Sequence, residues 1–355
     1  MPLIDALFQT LIDENGSDLH LAQGQPPKLR KHGNIRKINN EVLTEEKITL
    51  LLSEIAKTDR WEHFLESGDL DFAYSLGEEA RFRCNYYRHS NGVGGIFRII
   101  PRDILSIEEL NLPQVLTTFG EFNKGMVLVT GPTGSGKSTT LAAIIDHINS
   151  NTARHILTIE EPIEFVHTNK KSIIVQREVG IDTGSFGEAL LDAGHADCDV
   201  ILVGEMRDLE TISLAISAAE AGNLVFGTLH TNSAAKTIDR IIDVFPPDQQ
   251  PQIRTMLSDS LKGVCSQLLL KRKTGGRIAA NEILLQTMAV SNIIRDGGGS
   301  LNKLHSVMMG GRSVGMQMMD DVIEKYYHDD LITGYEAYMK ALDKERFERY
   351  RDETE

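Results

Sequence analysis

The sequence predicts an α/β protein of two domains, the larger built on a parallel sheet that carries a phosphate-binding loop. Three observations lead there. The length of 355 residues exceeds what one compact domain usually holds. Short apolar runs alternate with segments of helical character, and one of those runs leads directly into a GxxxxGK[ST] segment.

Taken in chain order, residues 1–100 read as a small α+β domain. Asp69-Leu70-Asp71-Phe72-Ala73-Tyr74 and Gly95-Ile96-Phe97-Arg98-Ile99-Ile100 look like strands between turn signals. Between them, Thr44 to Ala56 repeats apolar positions at helical spacing and opens with Thr44-Glu45-Glu46-Lys47, a capped helix start. Residues 101–113 carry prolines around a polar segment, which disfavours helix and marks an interdomain linker. The second domain is expected over 114–355. There Gly125-Met126-Val127-Leu128-Val129-Thr130 reads as a buried parallel strand, with a helix from Lys137 onward. Similar runs recur at 155–159, 199–203 and 224–228, so a parallel sheet with helices on its faces is predicted. From Val290 the strand signal disappears, a helical tail begins near Met318, and the charged stretch Lys344 to Glu355 is expected to fray.

Composition narrows the function classes. Hydrophobic residues at 41% and charged residues at 25% are ordinary for a soluble globular chain, and no apolar run approaches the roughly 20 residues that span a bilayer. The amino terminus lacks the pattern of a secretory signal, which points to a cytoplasmic location without membrane insertion. Cys84, Cys198 and Cys265 form no CxxC pair and read as small core fillers rather than a disulfide framework or zinc site. A net charge of −14 disfavours a nucleic-acid partner.

The chemistry is concentrated in a few segments. Gly131-Pro132-Thr133-Gly134-Ser135-Gly136-Lys137-Ser138-Thr139 is the strongest. Its glycines let backbone N–H groups approach phosphates, the following helix adds its positive end, Lys137 reaches the β- and γ-phosphates, and Ser138 ligates Mg²⁺. ATP and Mg²⁺ are therefore the expected ligands. Glu205 ends the apolar run from Asp199, where a carboxylate faces the ligand crevice and can hold Mg²⁺, directly or through water, or orient the attacking water. Glu160, in Thr158-Ile159-Glu160-Glu161-Pro162-Ile163-Glu164, is a candidate general base, whereas Glu164 reads as part of a solvated loop. His230, in Gly227-Thr228-Leu229-His230-Thr231-Asn232, could sense the γ-phosphate or be structural. Arg81, Arg83, Arg88 and Arg98 cluster in the first domain, and each is either an arginine finger toward phosphate or part of a charged strand face; Arg207 and Arg240 have similar standing.

Six segments occur in a set order: GPTGSGKSTT from Gly131, TIEEPIEFVH from Thr158, QREVGIDT from Gln176, VILVGEMRDLETI from Val200, GTLHTNSA from Gly227 and RIIDVFPPDQQ from Arg240. Together they resemble the phosphate loop, acidic box, Walker B region and histidine box of the secretion-superfamily hexameric ATPases, in the PilT/PilU branch. SDLHLAQGQPPKLRKHG from Ser17 and RFRCNYYRHSNGVGGIFRIIP from Arg81 resemble that family's amino-terminal domain. The resemblance extends to about Met319 and implies a PAS-like α+β domain followed by a RecA-like P-loop NTPase domain. It implies a homohexamer hydrolysing ATP at subunit seams, located peripherally at the inner-membrane base of a pilus machine. The expected partners are an inner-membrane pilus platform protein and a PilU-like paralogue, and the expected work is pilus retraction and twitching motility. By position, Lys137 and Ser138 bind nucleotide and Mg²⁺, Glu160 belongs to the acidic box, Glu205 matches the catalytic glutamate, His230 belongs to the histidine box, and Arg81, Arg83 and Arg98 match seam arginines.

Two departures from the family pattern stand out. Glu161 replaces the usual Asp, and Glu188 to Asp199 lacks two arginines and a proline while placing Gly194 where a helix interior would lose about 1 kcal/mol. The absence of a CxxC pair separates the chain from the zinc-bearing assembly ATPases. A type IVB secretion motor, a nucleic-acid motor and a catalytically poor subunit paired with an active paralogue are the competing readings.

Overall fold

The computed structural model describes residues 2–31, 33–77, 79–100, 102–297 and 303–353. Residue 101 of the expected linker and residues 354–355 of the charged tail lie outside these. The chain divides into two compact units, Met1–Asp103 with Pro162–Val166, and Ile104–Glu161 with His167–Glu355.

The first unit contains α1 (Asp5–Asp13), β1 (Asp18–Ala22), β2 (Lys28–Lys31), β3 (Asn34–Lys37), α2 (Glu45–Ser53), α3 (Thr58–Ser67), β4 (Asp69–Leu76), β5 (Ala80–His89) and β6 (Gly92–Ile100). The strands form one antiparallel sheet in the order β3-β2-β1-β6-β5-β4. Alternation along β5 decides the two faces: Phe82, Cys84 and Tyr86 are buried, while Arg81 and Arg83 point the other way. The buried face is aromatic. Phe8 of α1 stacks on Phe82 with ring centroids 4.1 Å apart and meets Phe97 edge-on at 5.2 Å. The Tyr86 hydroxyl donates to the Leu52 carbonyl of α2 at 2.9 Å, which satisfies the one polar atom of that side chain inside the core. The Thr44 hydroxyl accepts from Lys47 N at 3.3 Å, the capped start that the sequence predicts.

The second unit contains β7 (Gly125–Thr130), α4 (Lys137–Asn151), β8 (His155–Glu160), β9 (Ile173–Glu178), α5 (Phe186–Ala193), β10 (Val200–Val203), α6 (Leu209–Ala221), β11 (Leu224–Leu229), α7 (Ala234–Asp243), α8 (Gln250–Ser260), β12 (Leu261–Lys271), β13 (Arg277–Leu285) and α9 (Met288–Asp296). Its seven-stranded sheet runs β13-β12-β7-β11-β10-β8-β9, parallel throughout except for the antiparallel edge strand β13. β7, β10 and β11 are buried at every position, as strands covered on both faces must be. Then come α10 (Leu304–Gly310), α11 (Met319–His328), α12 (Gly334–Lys340) and α13 (Lys344–Phe347). No helix among the described residues is long and apolar enough to cross a membrane.

Three expectations change. Residues 104–113 group with the second unit rather than tethering two bodies, because Ile107 and Leu112 are buried in the core beside α4. The charged end is packed as far as Tyr350: Phe347 and Tyr350 lie in one core with Leu270, Ile278 and Ile323. Gly194 caps α5 instead of interrupting it, so the helix-interior penalty does not arise. Asp192 in the same divergent stretch accepts from Arg177 at 3.0 Å. The three cysteines are buried and free, and burial pushes the Cys265 thiol up to about 12.

Phe82→Ala should destabilise the first unit by about 3–5 kcal/mol, since it removes a stacked ring from a closed core. Trp61, the single tryptophan, packs on the same cluster and reports denaturant unfolding. A loss below about 1 kcal/mol would contradict this packing.

Candidate active site

Parallel strands leave the sheet at a common carboxyl edge, and in this unit each exit carries a chemical group. β7 runs into the loop 131–136, β11 into His230, β10 into Gly204 and Glu205, and β8 ends on Glu160. Chain order is loop, Glu160, Glu205, His230. Spatial order along the strands is loop, His230, Glu205, Glu160, because β11 and β10 insert between β7 and β8.

The loop turns tightly enough to need glycine. Gly131 has φ 148° and Gly136 has φ 70°, a region that side chains strain. A Cβ on Gly131 would lie 2.3 Å from the Gln267 carbonyl oxygen. Gly136 is the residue before α4, whose first N–H groups have no partner within the helix and form an anion-binding end. Lys137 Nζ donates to the Gly131 carbonyl at 3.1 Å, folding over the loop that it follows. Ser138 and Thr139 occupy the first turn of α4, with Thr133 and Gly134 at the loop's crest and Pro132 at its entry.

Glu205 sits in a charged cluster. Its carboxylate accepts from Arg207 Nη2 at 2.6 Å and lies 2.8 Å from His230 Nε2. Burial works to raise the Glu205 carboxyl, but the hydrogen bond and charge of Arg207, followed by His230, outweigh it and hold the group below its ordinary range. Glu160 accepts from the Thr158 hydroxyl at 2.7 Å and from Gln176 Nε2 at 3.3 Å, which orients its carboxylate at the end of β8.

Arg81, Arg83 and Arg98 share the outward face of the first unit's sheet, with Arg83 directly opposite Arg98. Each has an oxygen partner within that unit. Arg81 Nε donates to the Ile163 carbonyl at 3.2 Å, Arg83 Nη1 to Glu164 at 3.0 Å, and Arg98 Nε to the buried Asp18 at 2.9 Å. Glu164 is thus an ion-pair partner rather than a member of a solvated loop. Arg88 bonds the Leu65 carbonyl at the end of α3, and Arg240 lies in the last turn of α7.

Sequence reading did not single out the support behind the edge. Glu282 of β13 accepts from Ala234 N at 2.8 Å, fixing the start of α7 just after the histidine segment, and burial raises its carboxyl. The buried Thr237 hydroxyl lies 2.7 Å from that of Thr231 and 3.4 Å from that of Thr130, and Thr130 lies 2.8 Å from Ser266. A cleft of about 550 Å³ beside the loop is lined by Pro132, His230 and Lys236, by Met339 and Lys340 at the end of α12, and by Leu342 just after it. The polar pairs Ser266-Gln267 and Asn281-Glu282, each inside an apolar run, are the sequence signals that could have led to this support.

The whole chain resembles known proteins. The family described as Type II/IV secretion system protein matches residues 1–340. The chain is 47% identical over 334 residues to the type IV pilus retraction ATPase PilT of Pseudomonas aeruginosa, covering 94% of this chain and 96% of that protein. It is 47% identical over 320 residues to a twitching motility protein of Neisseria gonorrhoeae, covering 90% and 85% respectively. A crystal structure of the pilus retraction motor PilT with bound ADP superposes with a TM-score of 0.89 at 41% identity, over 98% of this chain and 99% of that one.

The Glu205 pair gives a pH test. A carboxyl held below its unfolded value of 4.5 contributes stability that is complete above that value and lost as pH falls through the folded one. The melting-temperature gap between wild type and Arg207→Met should therefore be present at about pH 5 and close as pH falls from there through the lowered folded value. A gap that instead narrows as pH rises above neutrality would reverse the assigned sign.

Proposed function

The chain belongs to the Type II/IV secretion system protein family, and from that membership we propose that it is an ATP-hydrolysing motor that powers type IV pilus retraction. One observation carries the chemistry: a glycine loop at the start of α4 shares a sheet edge with the Glu205–His230 pair. Loop amides and Lys137 bind the ATP phosphates, since helix-start N–H groups and a lysine are suited to that anion. The buried Ser135 hydroxyl, which has no hydrogen-bond partner among the described residues, and the first-turn N–H groups of α4 fit a phosphate group. Ser138 and Glu205 supply the oxygen donors suited to Mg²⁺, which when bound neutralises charge on the phosphates.

Glu205 receives or orients the proton of the attacking water, and His230 holds that carboxylate in place from the neighbouring strand end. Glu160 adds a second carboxylate to the same edge. Arg81, Arg83 and Arg98 present guanidinium groups suited to phosphate charge once their carbonyl and carboxylate partners release them. The retraction reading further proposes six copies in a ring, working cytoplasmically against a platform protein at the inner membrane. A PilU-like paralogue is a candidate companion.

Purified wild type should hydrolyse ATP, and Glu205→Gln should lower turnover by about 10²–10⁴-fold while ATP binding persists. Lys137→Ala should lose binding itself. In cells deleted for the endogenous gene, wild type should restore twitching and Glu205→Gln should not. Undiminished turnover in Glu205→Gln would overturn the assigned role.

A further inference from the structure

Gln267 lies on β12, in no segment that carries the nucleotide reading, yet it touches both ends of the phosphate loop. The residue is 2% exposed. Its Nε2 donates to the Ser135 carbonyl at 2.7 Å and to the Gly136 carbonyl at 2.7 Å. Its own backbone oxygen is the atom that a Cβ on Gly131 would strike, and a Cβ on Gly136 would come within 3.2 Å of its Nε2. The glycines at 131 and 136 are therefore required as much by Gln267 as by any ligand.

The direction of this amide is decided by its partners. Two backbone carbonyls can only accept, so nitrogen must face the loop. On the other side, Gln267 Oε1 accepts from the Thr140 hydroxyl of α4 at 2.8 Å and from Asn281 Nδ2 of β13 at 2.9 Å. Asn281 is itself buried, and its nitrogen also faces Cys265 Sγ at 3.3 Å. The side-chain amide is thus locked from both ends.

In a trans peptide the C=O and the N–H of the same unit point in opposite directions. Drawing the Ser135 and Gly136 carbonyls toward β12 turns the N–H groups of Gly136 and Lys137 away from it, toward the open side of the loop. We propose that Gln267, oriented by Asn281 and Thr140, is a positioning residue that presents the loop amides to the nucleotide phosphates. This rests on the nucleotide reading above and adds a residue from outside the motif. Its effect is preorganisation: without it, the loop must order its peptides at the expense of binding.

The test titrates a fluorescent ADP analogue into the full-length chain. Wild-type binding is the separate control on the nucleotide reading, because a wild type that fails to bind defeats that reading irrespective of Gln267. Gln267→Leu should bind at least about tenfold more weakly while retaining the wild-type circular dichroism and mass. Gln267→Glu keeps the shape but donates only when protonated, and burial raises its carboxyl into an accessible range. Its affinity deficit relative to wild type should be large near about pH 8 and shrink toward about pH 6. A folded Gln267→Leu that binds as tightly as wild type would overturn the proposal. So would a Gln267→Glu deficit that is absent or constant with pH, since a merely structural contact gives no such profile.

Discussion

Parallel pairing of β7 with β11, of β11 with β10 and of β10 with β8 forces four chain exits onto one edge of the sheet. Everything at the site depends on that constraint. Because β7, β10 and β11 are buried on both faces, their register cannot slip without exposing apolar side chains, so the exits are held at fixed spacing. The distances between Glu205, His230 and the loop are consequences of strand packing rather than of the loops that carry those residues.

The same edge concentrates unlike charges in a chain whose net charge is −14. Glu205 is held ionised by Arg207 and His230, and Lys137 folds back on its own loop. Each charged group is thereby paired or hydrogen-bonded without being sealed from water, which avoids the full cost of burying a lone ion. Lys137 and Arg207 each hold an oxygen of the chain itself, a carbonyl in one case and a carboxylate in the other.

The first unit follows a different logic, that of a two-faced antiparallel sheet. Alternation sends Phe82, Cys84 and Tyr86 into an aromatic core and leaves Arg81, Arg83 and Arg98 together outside. That face is occupied: Asp18 holds Arg98, and residues 162–166 supply Ile163 and Glu164 to Arg81 and Arg83. Those five residues follow β8 in sequence yet group with the first unit, so the segment after Glu160-Glu161 is held by arginines remote in the chain.

Local chemistry was legible in the sequence wherever a short segment suffices to specify it. The loop glycines announce the tight turn into α4 because its backbone has positive φ at Gly131, Gly134 and Gly136, and the Thr44 cap and the apolar runs ending at Thr130, Ile159, Val203 and Thr228 mark their own elements. The β12–β13 hairpin was not legible. β12 is buried at most positions with no regular polar alternation and follows α8 directly, so periodicity cannot tell it from a buried helix. Tertiary structure alone decided that Gln267, Asn281 and Glu282 stand behind the loop and the histidine segment, that Ile107, Leu112, Phe347 and Tyr350 are core, and that His230 lies beside Glu205 rather than beyond it. The physical reason is that sequence specifies which groups a segment offers, whereas the order of strands in a sheet is set by the packing of segments far apart in the chain.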